Sequence, residues 1–251
     1  HLLFNSLSYL SISISKLPTK YRKIIDTINI TIDMENISEM EFYILSNINY
    51  AFNLVKYFKN NNDQVRTDIR NFAVNKLQEK VNLNESSLLF FDGDILVSKK
   101  LLLEYIKKSS IKNLVIGNTF YMPEDESNRK IEIKKIKFRF KIAAFISSFK
   151  RIIASYILYL PYSPFGKFSP TLGAGNFMIR FELFNSLGKF IPLNKGWGGE
   201  DVYLGFRAYV NGFFPKHTGL FNSAYHQYHK TDNKQKLIVN KEVRQKLKKI
   251  R

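Results

Sequence analysis

The run Ser86 to Phe91 is short and continuously apolar, and it passes without a break into Asp92-Gly93-Asp94. A strand apolar on both sides needs cover on both faces, which points to a parallel strand with helices above and below it. The rest of the chain agrees with that demand. Asp26 to Asp33 alternates like a half-buried strand that ends in Asp33. Ser38 to Lys59 has helical periodicity, 60–63 is an Asn-Asp loop, and Asp68 to Lys80 and Ser98 to Lys107 read as helices. Asn113 to Phe120 is a further strand, Gly173 to Arg180 a turn into a strand, and Glu182 to Leu187 a short helix. A helix opens at Glu200 and stops near Val210 at Asn211-Gly212, and Ser223 to Tyr228 is the last strand expected. Strands alternating with helices predict an α/β fold, in which ligands sit beyond the carboxyl ends of the strands. With 251 residues, 45% of them hydrophobic, and no internal repeat, the expectation is a single domain spanning 1–251.

Charge narrows the partners. The formal net charge of +18 attracts phosphates, anionic polysaccharides, nucleic acid or acidic membranes, and serves solubility as well. Much of it lies in Arg129 to Arg151 and Lys230 to Arg251. No zinc-finger, helix-turn-helix or RNA-recognition signature accompanies it, so nucleic acid is not expected as a partner. There is no cysteine, which removes disulfides, thiolate metal sites and a cysteine nucleophile and suits a reducing compartment. The longest apolar stretch, Ile142 to Pro164, is interrupted by Lys150, Arg151 and serines and makes a poor membrane span. His1 to Pro18 lacks the basic flank and cleavage site of a signal peptide. The expected location is therefore cytoplasmic, with peripheral contact at the inner face of the membrane.

Two constellations carry chemistry. Asp92 and Asp94 stand at a sheet edge around Gly93, and such oxygens suit Mg²⁺ or Mn²⁺, which take one or two carboxylates and fill the remaining positions with phosphates. Alone, the tripeptide also reads as a surface turn with two solvated aspartates. The second is Gly196-Trp197-Gly198-Gly199-Glu200-Asp201, three glycines around the only tryptophan, followed by two acids at a helix start. Acids there complement the helix dipole. That accounts for neither the indole nor the glycines, whereas a carboxylate at a sharp turn beside a flat aromatic can hold a sugar and take a proton from its hydroxyl.

Phe90 to Ile95, Gly173 to Arg180 and Gly196 to Arg207, in that order and spacing, are similar to the successive core motifs of GT-A fold glycosyltransferases. The likeness is greatest to inverting family 2, in its galactosyltransferase-like, chondroitin-polymerase-like branch. It covers roughly residues 24 to 232, and Arg66 to Val74 resembles the family's Ala-Arg-Asn helix. The resemblance implies a GT-A domain with a mostly parallel central sheet. It also implies a metal-dependent transfer of a hexose or hexosamine from a UDP-sugar donor to a glycan or glycolipid acceptor, with inversion. On this likeness Asp92 and Asp94 form the Asp-x-Asp motif, with Asp94 the more direct metal ligand, and Gly93 lies against the donor. Asp33 and Arg66 hold the nucleoside with Arg70 and Asn71 close by. Asp201 is the general base, Glu200 hydrogen-bonds the sugar, and Trp197 stacks on donor or acceptor, with Gly198, Gly199, Gly175 and Asn176 also binding the sugar or acceptor. A histidine near the end completes the metal shell, and His226 and His229 are both candidates. On an alternating strand they face opposite ways, so at most one is expected to bind metal. The family begins with a strand ahead of the helix that precedes the strand equated with Ile28 to Asp33; here only enough sequence for the helix stands before Ile28, so that first strand is missing, replaced or unrecognised in these residues.

The segment 130–162 lies where such enzymes vary to suit their acceptors, and it mixes apolar residues with Lys134, Lys135, Lys137, Arg139, Lys141, Lys150 and Arg151. With the basic amphipathic helix expected over 240–251, it has the character of a surface for an anionic acceptor or an anionic membrane. A core helix with a solvated basic face has the same composition. A non-catalytic polyanion-binding or membrane-surface protein on the same fold is the competing functional reading.

Overall fold

The computed structural model describes residues 28–33, 52–57, 65–79, 82–84, 86–109, 113–124, 142, 145, 146, 149, 172, 175–191, 200–219 and 222–229. The opening at 2–17, the stretch 38–51, most of the segment 130–162, the turn 196–199 with Trp197, and the basic tail from 240 lie outside the described residues.

Strand β1 (Ile28–Asp33) forms where the alternation predicts it. Its partner corrects the sequence reading, because residues 52–57, taken above as the end of a helix, form strand β2 (Phe52–Tyr57). The two pair in parallel, from Ile28 opposite Phe52 to Asp33 opposite Tyr57. Short runs rich in aromatic and branched residues fit either period, and pairing with β1 decides between them. Helix α1 (Val65–Gln78) follows and packs on β1, with Asp68 in its first turn and Lys76 in its last, as the helix dipole favours.

The main sheet has the order β3 (Ser87–Phe91), β7 (Asn176–Arg180), β5 (Leu114–Ile116), β8 (Lys216–His217). It is mixed rather than mostly parallel, because β7 runs antiparallel to both β3 and β5 while β5 and β8 are parallel. The reason is local. The chain turns into β7 at Gly175, whose carbonyl accepts the Asp92 N–H at 2.9 Å, so β7 starts where β3 ends.

Side-chain alternation then buries both faces. On one side Leu88, Leu114, Ile116, Phe177 and Ile179 pack with Val74 of α1, with Leu183 and Phe184 of α3 (Phe181–Ser186), and with Leu204 and Ala208 of α4 (Glu200–Val210). On the other, Val115 and Met178 pack with Leu101, Leu102 and Tyr105 of α2 (Lys99–Ser109), whose first turn is capped by the Ser98 hydroxyl accepting the Leu101 N–H. Cover on both faces is complete at β5 and β7, whereas β3 is covered only in part on the side where Leu89 is exposed. The sheet's aromatic centre is Phe90, stacked on Phe177 at 5.0 Å and met edge-on by Phe190 at 5.3 Å.

A second, three-stranded sheet has the order β4 (Ile95–Leu96), β9 (Ser223–His226), β6 (Asn118–Tyr121). The stretch read as one strand from Asn113 is thus two, parted at Gly117, which leaves β5 in one sheet and β6 in the other. No helix among the described residues is long and apolar enough to cross a membrane.

Candidate active site

Asp92, Gly93 and Asp94 form a tight turn between β3 and β4, closed by the Ile95 N–H donating to the Asp92 carbonyl at 3.1 Å. Gly93 is exposed at its tip. The same turn is gripped from the other side by the end of β9. Ile95 pairs with His226, and the Gln227 N–H donates to the Asp94 carbonyl at 3.0 Å. Sequence positions 94 and 226 are therefore neighbours by backbone pairing alone.

His226 Nε2 lies 3.5 Å from Asp94 Oδ2, and His229 Nε2 lies 3.0 Å from the same oxygen. Both histidines converge on Asp94, which corrects the expectation that at most one could. Strand alternation ends with β9 at His226, and the non-strand residues 227–229 turn His229 back to the same side. Three donor atoms, one each from Asp94, His226 and His229, lie within 4.8 Å of one another.

These residues fit a divalent cation. Asp94 Oδ1 is buried with no hydrogen-bond partner among the described residues, a costly arrangement for a carboxylate oxygen unless something else binds it. Burial raises the Asp94 pKa above its ordinary value; His226 pulls it back down, and Asp92 pushes it up. His226 Nδ1 faces the Gln227 carbonyl at 2.8 Å; donation there fixes the tautomer and leaves the Nε2 lone pair toward Asp94.

Asp92 is occupied differently. Arg70 of α1 donates from Nη2 to Asp92 Oδ1 at 2.6 Å and from Nη1 to Glu200 Oε1 at 2.6 Å. Burial disfavours the guanidinium charge, yet Asp92, Glu200 and Asp201 together outweigh it and raise the Arg70 pKa above the ordinary arginine value. Glu200 is buried at the start of α4, while Asp201 is half-buried beside it with Oδ1 accepting the Val202 N–H at 2.8 Å. Gly175 completes this corner with φ +64°, and a Cβ there would fall on the Asp92 carboxylate.

Two expected site residues serve the framework instead. Asn71 is spent on Phe190, donating to its carbonyl at 2.8 Å and accepting its N–H at 3.2 Å. Asn176 is fully buried, its amide donating to the Asn118 carbonyl and the Thr119 hydroxyl while its Oδ1 accepts the Tyr105 hydroxyl at 2.8 Å. Asp33 and Arg66 lie on β1 and α1, and their side chains, like Trp197, Gly198 and Gly199, are outside the described residues. Sequence reasoning missed Tyr121, whose half-exposed ring lies 4.7 Å from that of His226 at the edge of the Asp94–His226–His229 cluster. The polar pair Asn118-Thr119 within an apolar strand was a readable sign of the buried knot around Asn176.

No protein-family model and no curated protein matches the sequence. Among solved structures, the chain is similar to GalNAc-T7, crystallised with UDP, GalNAc and Mn²⁺, at TM-score 0.53 and 15% identity. The fold is GT-A. The match covers 86% of this chain but 40% of GalNAc-T7, so the chain spans about two fifths of that protein's length.

Proposed function

We propose that the protein is a metal-dependent glycosyltransferase that moves a hexose or hexosamine from a UDP-sugar to an acceptor hydroxyl. The observation that carries this reading is the convergence of Asp94, His226 and His229 beside the Arg70-bridged carboxylates Asp92 and Glu200, on a GT-A fold. A mixed carboxylate and imidazole donor set favours Mn²⁺ over Mg²⁺, which prefers oxygen ligands. When bound, the cation would neutralise charge on the leaving diphosphate.

The chain's own residues supply the rest. Asp94, His226 and His229 would hold the cation at the carboxyl end of β3, and Asp201 at the start of α4 would take the acceptor proton as the hydroxyl attacks the anomeric carbon. The hydroxyl oxygen forms the new bond while the sugar–diphosphate bond breaks, and UDP leaves. A single base and direct displacement give inversion. Glu200, held by Arg70, keeps Asp201 at the helix start. The motif resemblance supports a proposed role in polysaccharide or glycoconjugate biosynthesis, as a hexosyltransferase.

Peripheral contact of a cytoplasmic enzyme with the inner face of an anionic membrane belongs to the same proposal. Ile142, Ile146 and Phe149 are helical and exposed at positions that share one helix face, in a strongly basic stretch of sequence. Co-sedimentation with anionic but not neutral vesicles, weakening with salt, is the expected behaviour.

The test is a screen for UDP release from UDP-glucose, UDP-galactose, UDP-glucuronic acid and their N-acetylhexosamine counterparts, with Mn²⁺ and with chelator. Chelator-sensitive release from one donor supports the reading. Salt-sensitive binding to any polyanion, with no response to UDP, would replace it with the non-catalytic alternative.

A further inference from the structure

Arg70 joins three elements far apart in sequence. It sits on α1, reaches Asp92 at the end of β3 with one nitrogen, and reaches Glu200 at the start of α4 with the other. Its guanidinium lies over the Phe190 ring at 5.3 Å, and Asn71 fixes the Phe190 backbone from both its N–H and its carbonyl. Asp92 is hemmed in as well, since Gly175 leaves its carboxylate no room for even a methyl group. A planar fork held on both arms transmits displacement, whereas a flexible single ammonium would absorb it. Asp92 is two residues from the metal-binding Asp94, within one closed turn.

We propose that Arg70 is a positioning residue that couples the Asp92-Gly93-Asp94 turn to the first turn of α4, so that filling the metal and nucleotide site fixes Glu200 and Asp201 for the acceptor. This rests on the transferase reading above and assigns Arg70 to the link between the donor and acceptor halves, not to the nucleoside. Its consequence is ordered assembly: the base is held in place once the donor side is occupied.

Hydrogen exchange of the amides at 201–204, with and without Mn²⁺ and UDP at concentrations saturating each variant, tests it. In the wild type the ligands are expected to slow exchange by about fivefold or more, the lower end of measured couplings between sites. In Arg70→Lys the bound-to-free ratio is expected to fall to about one, because the charge remains but the fork is gone. A residue with a merely structural role would speed exchange equally in both states and leave the ratio intact. If Arg70→Lys does not fold, Glu200→Ala removes one arm of the same bridge and must lower the ratio likewise. Unchanged ligand-induced slowing in the folded variant, or none in the wild type, overturns the coupling. Calorimetry on the same wild-type sample separates the two claims: Mn²⁺-dependent UDP binding without slowing removes the coupling alone, and absence of UDP binding removes the transferase reading with it.

Discussion

Gly175→Ala is a small change with a large expected cost. The residue has φ +64°, and an alanine there costs roughly 1–2 kcal/mol in backbone strain. The added methyl would also coincide with the Asp92 carboxylate, so the carboxylate must move off Arg70. Losing a hydrogen bond between charged groups costs roughly 1.5–3 kcal/mol. Together the change is expected to destabilise the fold by about 2.5–5 kcal/mol. Urea denaturation followed by far-ultraviolet circular dichroism measures it. In an Asp92→Ala background the second part is already gone, and Gly175→Ala should cost only about 1–2 kcal/mol. A loss below about 0.5 kcal/mol, or the same loss in both backgrounds, would refute the claim that Gly175 makes room for the Asp92–Arg70 pair.

Tyr105→Phe leaves the buried Asn176 Oδ1 without its donor and should cost about 1–3 kcal/mol by the same denaturation assay; a neutral effect would show that the knot is not strained by the loss. His217 has its pKa lowered, first by burial and then by Lys108, below the ordinary 6.5. The unfolded chain then binds more protons than the folded one in that window, so His217's contribution is complete above about pH 6.5 and lost as pH falls through it. His217→Asn should flatten the acid side of the stability profile between pH 7 and 5, and an unchanged slope would discount the burial argument. Asp201→Asn should retain Mn²⁺-dependent UDP binding and slow transfer on the order of a hundredfold, as expected for a lost general base; transfer near the wild-type rate would remove Asp201 from that role.

Much of this architecture is legible in the residues, for reasons that can be named. The run from Ser86 to Phe91 called for a parallel strand covered on both faces; Leu88 and Phe90 pack into one core and Phe91 against the other, but Leu89 is exposed and the strand pairs antiparallel with β7. Helix α4 was bounded correctly because acids open it and Asn211-Gly212 closes it, with Gly212 at φ +80°. What failed depended on partners distant in sequence. Phe52–Tyr57 is a strand because β1 lies beside it, and β7 is reversed because Gly175 starts it at the Asp92 end of β3. His226 and His229 meet because β9 stops between them, which strand periodicity cannot foresee. Asn71 and Asn176 have the chemistry of ligand contacts, and tertiary neighbours claim their hydrogen bonds first.

The proposed reaction depends above all on Asp94, His226 and His229 forming a cation site that serves a uridine diphosphate. Isothermal titration of UDP into wild-type protein and Asp94→Asn, each with Mn²⁺ and with chelator, tests it most directly. Mn²⁺ is expected to strengthen UDP binding to the wild type by about tenfold or more, and the folded Asp94→Asn protein to lose this dependence because a neutral amide replaces the one carboxylate of the three-residue cluster. Equal UDP affinity with Mn²⁺ and with chelator in the wild type, or an undiminished Mn²⁺ effect in Asp94→Asn, would contradict it.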